Sequence, residues 1–484
     1  MLSTGMVIAQ ISSLFILPGP CRLSLHSTSM IHRLLCALTF LATTALGFGK
    51  PFPKGILDLP GAISAKKPIG VLADHPWENP NVAGLRIRTG WDNSETSDAA
   101  YNWVQIDEAL ALADQTGKFI GLGVTTGLTA PPWLMGGETF EDGETTTGEA
   151  TLTSSTANFT SADVGRVIIS TYFPVGTKII ARTSSTVVQT SAAATKDTTT
   201  KKLLTFSVLA RTSGGAAFRV LTPPDEGVML VPWDPVAKTK WKRFLVNMGA
   251  RYDNNAELGY VVMTGFQGAG ECYLAKTAED VAFFDASAIA AGYQATDDLP
   301  AGLVAWEATV KEIVAQYMVS FPNTPLIITG ARPYGGDFQL QGQDAMNDIF
   351  EWGVATYPGR FGIMNSQLHV GSSPGYFLNA AIVENAGSVP TGIQFLCAGT
   401  SDNPDNLPRL CDAPPWGDLP LLPIPEAVDA SCTAGVVLGL GFIEVYEDDV
   451  NNPDLQRILA AQKEALLGGG SSAPEPPTNL RIVP

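Results

Sequence analysis

Two glutamates stand out by their surroundings. Glu271 ends the stretch Leu258-Gly-Tyr-Val-Val-Met-Thr-Gly-Phe-Gln-Gly-Ala-Gly-Glu271, in which an apolar, β-branched run passes into a glycine-rich turn. Glu444 lies within Phe442-Ile-Glu-Val-Tyr446, where strand alternation puts Phe442, Glu444 and Tyr446 on one face and Ile443 and Val445 on the other. A carboxylate at the mouth of a buried strand costs free energy unless it is used or paired. Two such groups suit acid/base work on a glycosidic bond: one protonates the leaving oxygen while the other stabilises or attacks the anomeric carbon. Glu444 has two other readings, substrate contact or an ion pair with Arg86 or Arg88, and Glu271 has that of a solvated loop carboxylate.

Both glutamates need a scaffold that brings strand ends together. Counted from Gly84, eight apolar runs read as strands: Ala83 to Trp91, Lys118 to Val124, Val228 to Asp234, Leu258 to Gly265, Leu326 to Thr329, Phe361 to Asn365, Gly392 to Leu396 and Gly441 to Tyr446. Segments of helical period separate nearly all of them, at Tyr101 to Ala113, Pro235 to Arg251, 302–320, 344–356, 375–386 and 425–435, and a last helix spans 453–467. This alternation predicts an α/β fold, a (β/α)8 TIM barrel, with a doubly wound open sheet as the alternative.

Active sites of such barrels form at the C-terminal strand ends. On this count those ends carry Arg88, Trp91 and Asp92, then Trp133, then Trp233 and Asp234, then Glu271 and Tyr273, then Arg332 and Tyr334. The sixth end carries Asn365, Gln367 and His369, the seventh Gln394, and the eighth Glu444, Tyr446, Glu447 and Asp448. Carboxylates ringed by Trp and Tyr suit a sugar, whose C–H faces stack on aromatic rings. The expected catalytic pair is Glu271 and Glu444, and the expected substrate contacts are Arg88, Trp91, Trp133, Trp233, Tyr273, Tyr334, Asn365, Gln394 and Tyr446.

From about Gly137 to about Gly227 the chain becomes rich in Thr and Ser, with alternating runs such as Arg166 to Tyr172 and no helical period. It reads as a small all-β module (137–227) inserted after strand two, between a first barrel part (48–136) and the remainder (228–467). Residues 468–484 begin with a Gly/Ser/Pro-rich linker. Met30 to Gly47 has a basic start (His32, Arg33), an apolar run and a small-residue ending, the pattern of a secretory signal with translation starting at Met30, the alternative being a short membrane anchor. Export would permit disulfides, and Cys397 with Cys411 would close one short loop.

With 30 basic and 47 acidic residues the net charge is −17, which argues against nucleic acid or an anionic membrane as partner and favours a neutral or cationic ligand. No cofactor is expected. His75 and His369 are the histidines left after signal removal, too few for a histidine-rich metal centre. Gly371-Ser-Ser-Pro-Gly375 matches a nucleophile elbow, but Pro374 has no N–H for an oxyanion hole and no histidine follows Ser373. Asp448, Asp449, Asn451 and Asn452 lack calcium-loop spacing and read as a cap before Pro453.

Several motifs together resemble the barrel of β-galactosidase-like and cellulase-like retaining glycoside hydrolases. They are Gly84-Leu-Arg-Ile-Arg-Thr-Gly-Trp91 with Tyr101-Asn-Trp-Val-Gln-Ile-Asp107, Ala130-Pro-Pro-Trp-Leu134, and Met248-Gly-Ala-Arg-Tyr252 ahead of the Glu271 strand. The resemblance covers residues 80–470 apart from the insert. It implies hydrolysis of a poly- or oligosaccharide with an acid/base glutamate after strand four, where Glu271 falls, and a nucleophile glutamate at the end of strand seven. The sequence departs at both points: Gly-Ala-Gly precedes Glu271 in place of the usual Asn, and strand seven carries Gln394. Glu444 is the natural substitute. A catalytically inactive barrel serving as a cell-surface carbohydrate-binding or scaffold protein is the competing expectation.

Overall fold

In the computed structural model, which describes residues 49–64, 76–140, 142–170, 172–198, 206–209, 215–222, 227–268, 270–398 and 423–468, the apolar runs pair side by side and the ladder closes on itself. The strands are β1 (Gly55–Leu59), β2 (Gly84–Gly90), β3 (Phe119–Thr125), β4 (Leu258–Val262), β5 (Leu326–Thr329), β6 (Phe361–Leu368), β7 (Thr391–Phe395) and β8 (Phe442–Tyr446). Each pairs in parallel with the next, and β8 returns to β1 with Glu444 opposite Leu57. The chain is a (β/α)8 barrel, with helices such as Val104–Thr116, Pro235–Tyr252, Ala301–Ser320 and Gln339–Thr356 between strands.

The strand count needs one exchange. Gly55-Ile-Leu-Asp-Leu59 is the true first strand, and Val228–Leu230 stays outside the barrel, paired antiparallel with Phe218–Val220. Both runs are fully buried. Burial is what an apolar run reports, and it does not say which partner supplies the ladder. Asp58 disguises β1 as a mixed segment, whereas Val228-Met-Leu carries no such interruption. The exchange makes Phe119–Thr125 third in the barrel, so the insert follows β3, while Glu271 keeps its place after the fourth strand.

The insert forms two three-stranded antiparallel sheets. One holds Thr151–Thr153, Val187–Thr190 and Ile179–Arg182, the other Glu138–Phe140, Phe206–Leu209 and Val167–Ile169. Phe140, Leu152, Phe159, Ile168, Ile179 and Val188 give it an apolar cluster of its own. Asp234, expected at a strand exit, caps the helix that leads back to the barrel, accepting from the backbone N–H groups of Val236 and Ala237 at 2.9 and 3.0 Å.

The barrel interior is layered. Its floor is apolar, made of Leu57, Val262, Ile327, Met364, Phe442 and the ring of Tyr260. Glycines on the neighbouring strand make room for the larger groups: a Cβ on Gly121 would lie 2.1 Å from Tyr260 Cζ, and one on Gly123 would lie 2.4 Å from Arg86 Nη1. Tyr260 is fully buried and cannot yield. Gly121→Ala should therefore destabilise the fold by about 2 kcal/mol, in the range of overpacked cores. An unchanged urea midpoint would show that the interior can repack around the extra methyl.

The signal segment, Cys411 and the linker beyond Gly468 fall outside the described residues. Cys397 is disulfide-bonded, whereas Cys272 and Cys432 are buried free thiols. No helix among the described residues is long and apolar enough to cross a membrane.

Candidate active site

The turn that carries Glu271 is built before the side chain is considered. After β4 the chain reverses through Gly265, whose φ of 108° and whose approach to Trp241, 2.2 Å from where a Cβ would sit, both demand glycine. The buried Gln267 amide then bridges the turn, donating to the carbonyls of Met263 (3.3 Å) and Gly270 (3.2 Å). The N–H of Gly268 donates to Tyr273 O at 2.7 Å, and the N–H of Cys272 donates to Thr329 O at the end of β5 at 3.1 Å. Glu271 is thus clamped between the exits of β4 and β5.

The turn opens on a cavity of about 690 Å³ at the C-terminal mouth of the barrel. Strand ends and exit loops supply its walls: Arg88 from β2, Thr125 from β3, Glu271 and Tyr273 after β4, Thr329 from β5, Gln367 from β6 and Gln394 from β7. This volume is in the range of small-ligand sites and has room for a short saccharide. Burial pushes the Glu271 carboxyl above the ordinary carboxylate range, against the opposing pull of the Ser366 hydroxyl, Lys276 and Arg88. A carboxyl that holds its proton more tightly than usual suits a general acid.

Glu444 lies in the layer below. It is completely buried, with Arg86 Nε 3.2 Å from its Oε1 and the Tyr260 hydroxyl donating to the same oxygen at 2.6 Å. Its Oε2 has no hydrogen-bond partner. Burial raises its pKa, with Arg86, Tyr260 and Arg88 pulling the other way. Glu444 does not line the cavity, although Arg88 feels the charge of both glutamates.

Of the other expected contacts, Arg88, Tyr273 and Gln394 line the cavity. Tyr446 is half-buried and accepts a hydrogen bond from the Gln394 amide at 3.2 Å. The tryptophans are placed differently. Trp91 is buried edge-on against Trp241 and donates to Glu95 Oε2 at 2.8 Å. Trp133 donates to the Glu95 carbonyl at 3.0 Å, and Trp233 is buried against Phe284. Strand-exit position alone does not distinguish a rim platform from a ring that seals the helix layer. Tyr334 and Asn365 are also in the core, bonded to Asp285 and Asn379.

The cavity residues outside the expected contacts include Arg86, Lys276, Arg332 and Tyr376. Arg86 had a visible signal, since alternation places it on the face of Arg88. Tyr376, from the loop before the helix Phe377–Asn385, had none. Among the described residues no group of three or more His, Cys, Asp and Glu side chains could hold a metal ion.

His369, just past the end of β6, is buried, its Nδ1 accepting the Gly371 N–H at 3.0 Å. Burial pushes its pKa down to about 4 from 6.5, so it folds neutral. An unfolded chain takes up this proton first, and the stability the neutral ring contributes above pH 6.5 is lost as pH falls toward 4. His369→Asn keeps an acceptor and removes the titration. Between pH 7 and pH 4 the wild type should lose about 3 kcal/mol more than this variant in urea denaturation; equal losses would contradict the assignment.

No family model matches the chain, and no curated protein matches it. Among solved structures it is similar to the xylanase XynB from Paenibacillus barcinonensis, solved in complex with a conduramine derivative, at 8% sequence identity and a TM-score of 0.36, covering 81% of this chain and 83% of the xylanase. The chemistry rests on the residues themselves.

Proposed function

We propose that the chain is a secreted glycoside hydrolase acting on a poly- or oligosaccharide, with Glu271 as general acid/base. The observation that carries this reading is a carboxyl group with a raised pKa, clamped at the exit of β4, in a cavity lined also by Tyr273 and Tyr376. Protonated Glu271 would donate to the glycosidic oxygen as the C–O bond lengthens, and the carboxylate so formed would take a proton from the incoming nucleophile. Such a reaction needs no metal and no cofactor. Glu444 is the candidate second carboxylate, and Arg88, Tyr273, Gln394 and Tyr446 are the candidate sugar contacts.

A specific observation favours a second reading. Glu271 is the one carboxylate lining the cavity among the described residues, and Glu444 is occupied by Arg86 and Tyr260. A barrel that binds saccharide without cleaving it would look like this. The test is release of reducing ends over a glycan panel, with the anomer of the first product read by NMR. Cleavage with either stereochemistry supports the hydrolase, retention requiring carboxyls about 5 to 5.5 Å apart at the reacting bond and inversion about 6.5 to 9.5 Å. Saturable binding with no cleavage of any glycan would establish the binding protein instead.

A further inference from the structure

The charge of the cavity is opposite to that of the chain. Acidic residues outnumber basic ones 47 to 30 overall, yet among the described residues the cavity is lined by Arg86, Arg88, Lys276 and Arg332 against the single carboxylate of Glu271. Arg86 is matched by Glu444. Arg88 and Arg332 are not matched. Arg88 donates to the Pro60 carbonyl at 3.1 Å and Arg332 makes one long bond, 3.4 Å, to Gln343 Oε1, while the Nε of each lacks a hydrogen-bond partner. Neither forms an ion pair among the described residues. Arg332 is held over the Phe377 ring, 5.0 Å from its centroid, so its position does not depend on a carboxylate.

A guanidinium donates and never accepts, and it cannot shed its charge to suit a neutral ligand. Two such groups, partly withdrawn from water and without an ion-pair partner among the described residues, though Arg88 feels Glu271 and Glu444 at longer range, favour a ligand that brings acceptor oxygens with negative charge. The neutral part of the lining, Gln339, Gln367, Gln394, Tyr273 and Tyr376, suits hydroxyls and ring faces.

We infer that the site takes an acidic saccharide, one whose ring carries a carboxylate or sulfate that docks on Arg88 and Arg332. This rests on the reading of the cavity as a saccharide site and names its substrate class. The negative field of the whole chain slows the approach of such a ligand, and the cavity selects it at contact.

The test is isothermal titration calorimetry of the full chain against three probes: an oligogalacturonide, the same oligosaccharide with its carboxyl groups reduced to alcohols, and a sulfated galacto-oligosaccharide. At least one acidic probe should bind at least ~10-fold more tightly than the neutral one, as expected for a charge-assisted hydrogen bond. Which of the two it is separates carboxylate from sulfate recognition. Arg332→Met should reduce the ratio toward unity, and because the ratio is measured first on the wild type, a poorly folding variant does not spare the proposal. A neutral probe bound as tightly as both acidic ones overturns it, as does binding of none of the three. The two readings fail separately. An acidic probe that binds and is never cleaved upholds the ligand class and removes the hydrolase, whereas Glu271-dependent cleavage of neutral glycans with no acidic preference does the reverse.

Discussion

Glu271→Gln should lower kcat on natural glycans by ~10²–10⁴-fold, the usual worth of a positioned general acid. The substitution keeps the shape and an acceptor for the Ser366 hydroxyl, and it removes the one proton the mechanism needs. Three readouts separate this loss from damage to the fold. The loss should shrink on aryl glycosides with acidic leaving groups, which depart without protonation, and stay large on alkyl and sugar leaving groups. The wild-type rate should fall as pH rises through the raised pKa of Glu271, because the protonated form is the active one, and the variant should lack that limb. Stability moves the other way: a buried carboxyl with a raised pKa costs folding free energy once pH exceeds its unfolded value, so the glutamine variant should be at least as stable as the wild type at pH 7. A variant with wild-type turnover on sugar leaving groups would end the assignment.

The sequence makes the barrel legible because parallel strands buried on both faces read as apolar runs and their connecting helices as amphipathic segments. Its circular order tolerates an error: one false strand, Val228–Leu230, stood in for one hidden strand, Gly55–Leu59, and Glu271 still fell after the fourth. The inward face of β8 was legible for the same reason, since alternation needs no knowledge of neighbours, and Phe442, Glu444 and Tyr446 do share it. Rings at strand exits were not. Trp91, Trp133 and Trp233 have the residue type and position of sugar platforms, yet each ring's exposure depends on a helix or loop hundreds of atoms away in sequence, such as Trp241 behind Trp91. The cationic lining was half legible. Arg86 and Arg88 declared themselves as two charges on one strand face and Arg332 fell at a strand end, whereas Lys276 comes from an exit loop whose course only tertiary structure defines.

The Arg86–Glu444 pair should prove asymmetric, and that asymmetry decides what Glu444 is for. Both side chains are withdrawn from water, Arg86 at 4% and Glu444 at 0% exposure. Removing one member of a buried pair leaves the other uncompensated, at a cost of about 3–5 kcal/mol. The two members differ in how they can respond. A glutamate left alone can take up a proton, and burial already pushes Glu444 that way. An arginine left alone stays charged. Glu444→Leu should therefore cost about 3–5 kcal/mol at any pH, whereas Arg86→Met should cost clearly less at pH 5 than at pH 8. The double variant, with neither charge, should be more stable than Glu444→Leu alone. These are statements about the fold, measured by urea denaturation at the two pH values, and equal costs for the two single variants at pH 5 would contradict them. Glu444→Gln then carries the functional question, because it retains a partner for the Tyr260 hydroxyl and loses only the negative charge. If Glu444 also serves as the second carboxylate, this variant loses turnover beyond what its stability change explains, and small anionic nucleophiles such as azide restore part of it. If the pair is architectural, turnover survives wherever the protein is folded, and the barrel works, or binds, with Glu271 as the carboxyl that faces the cavity.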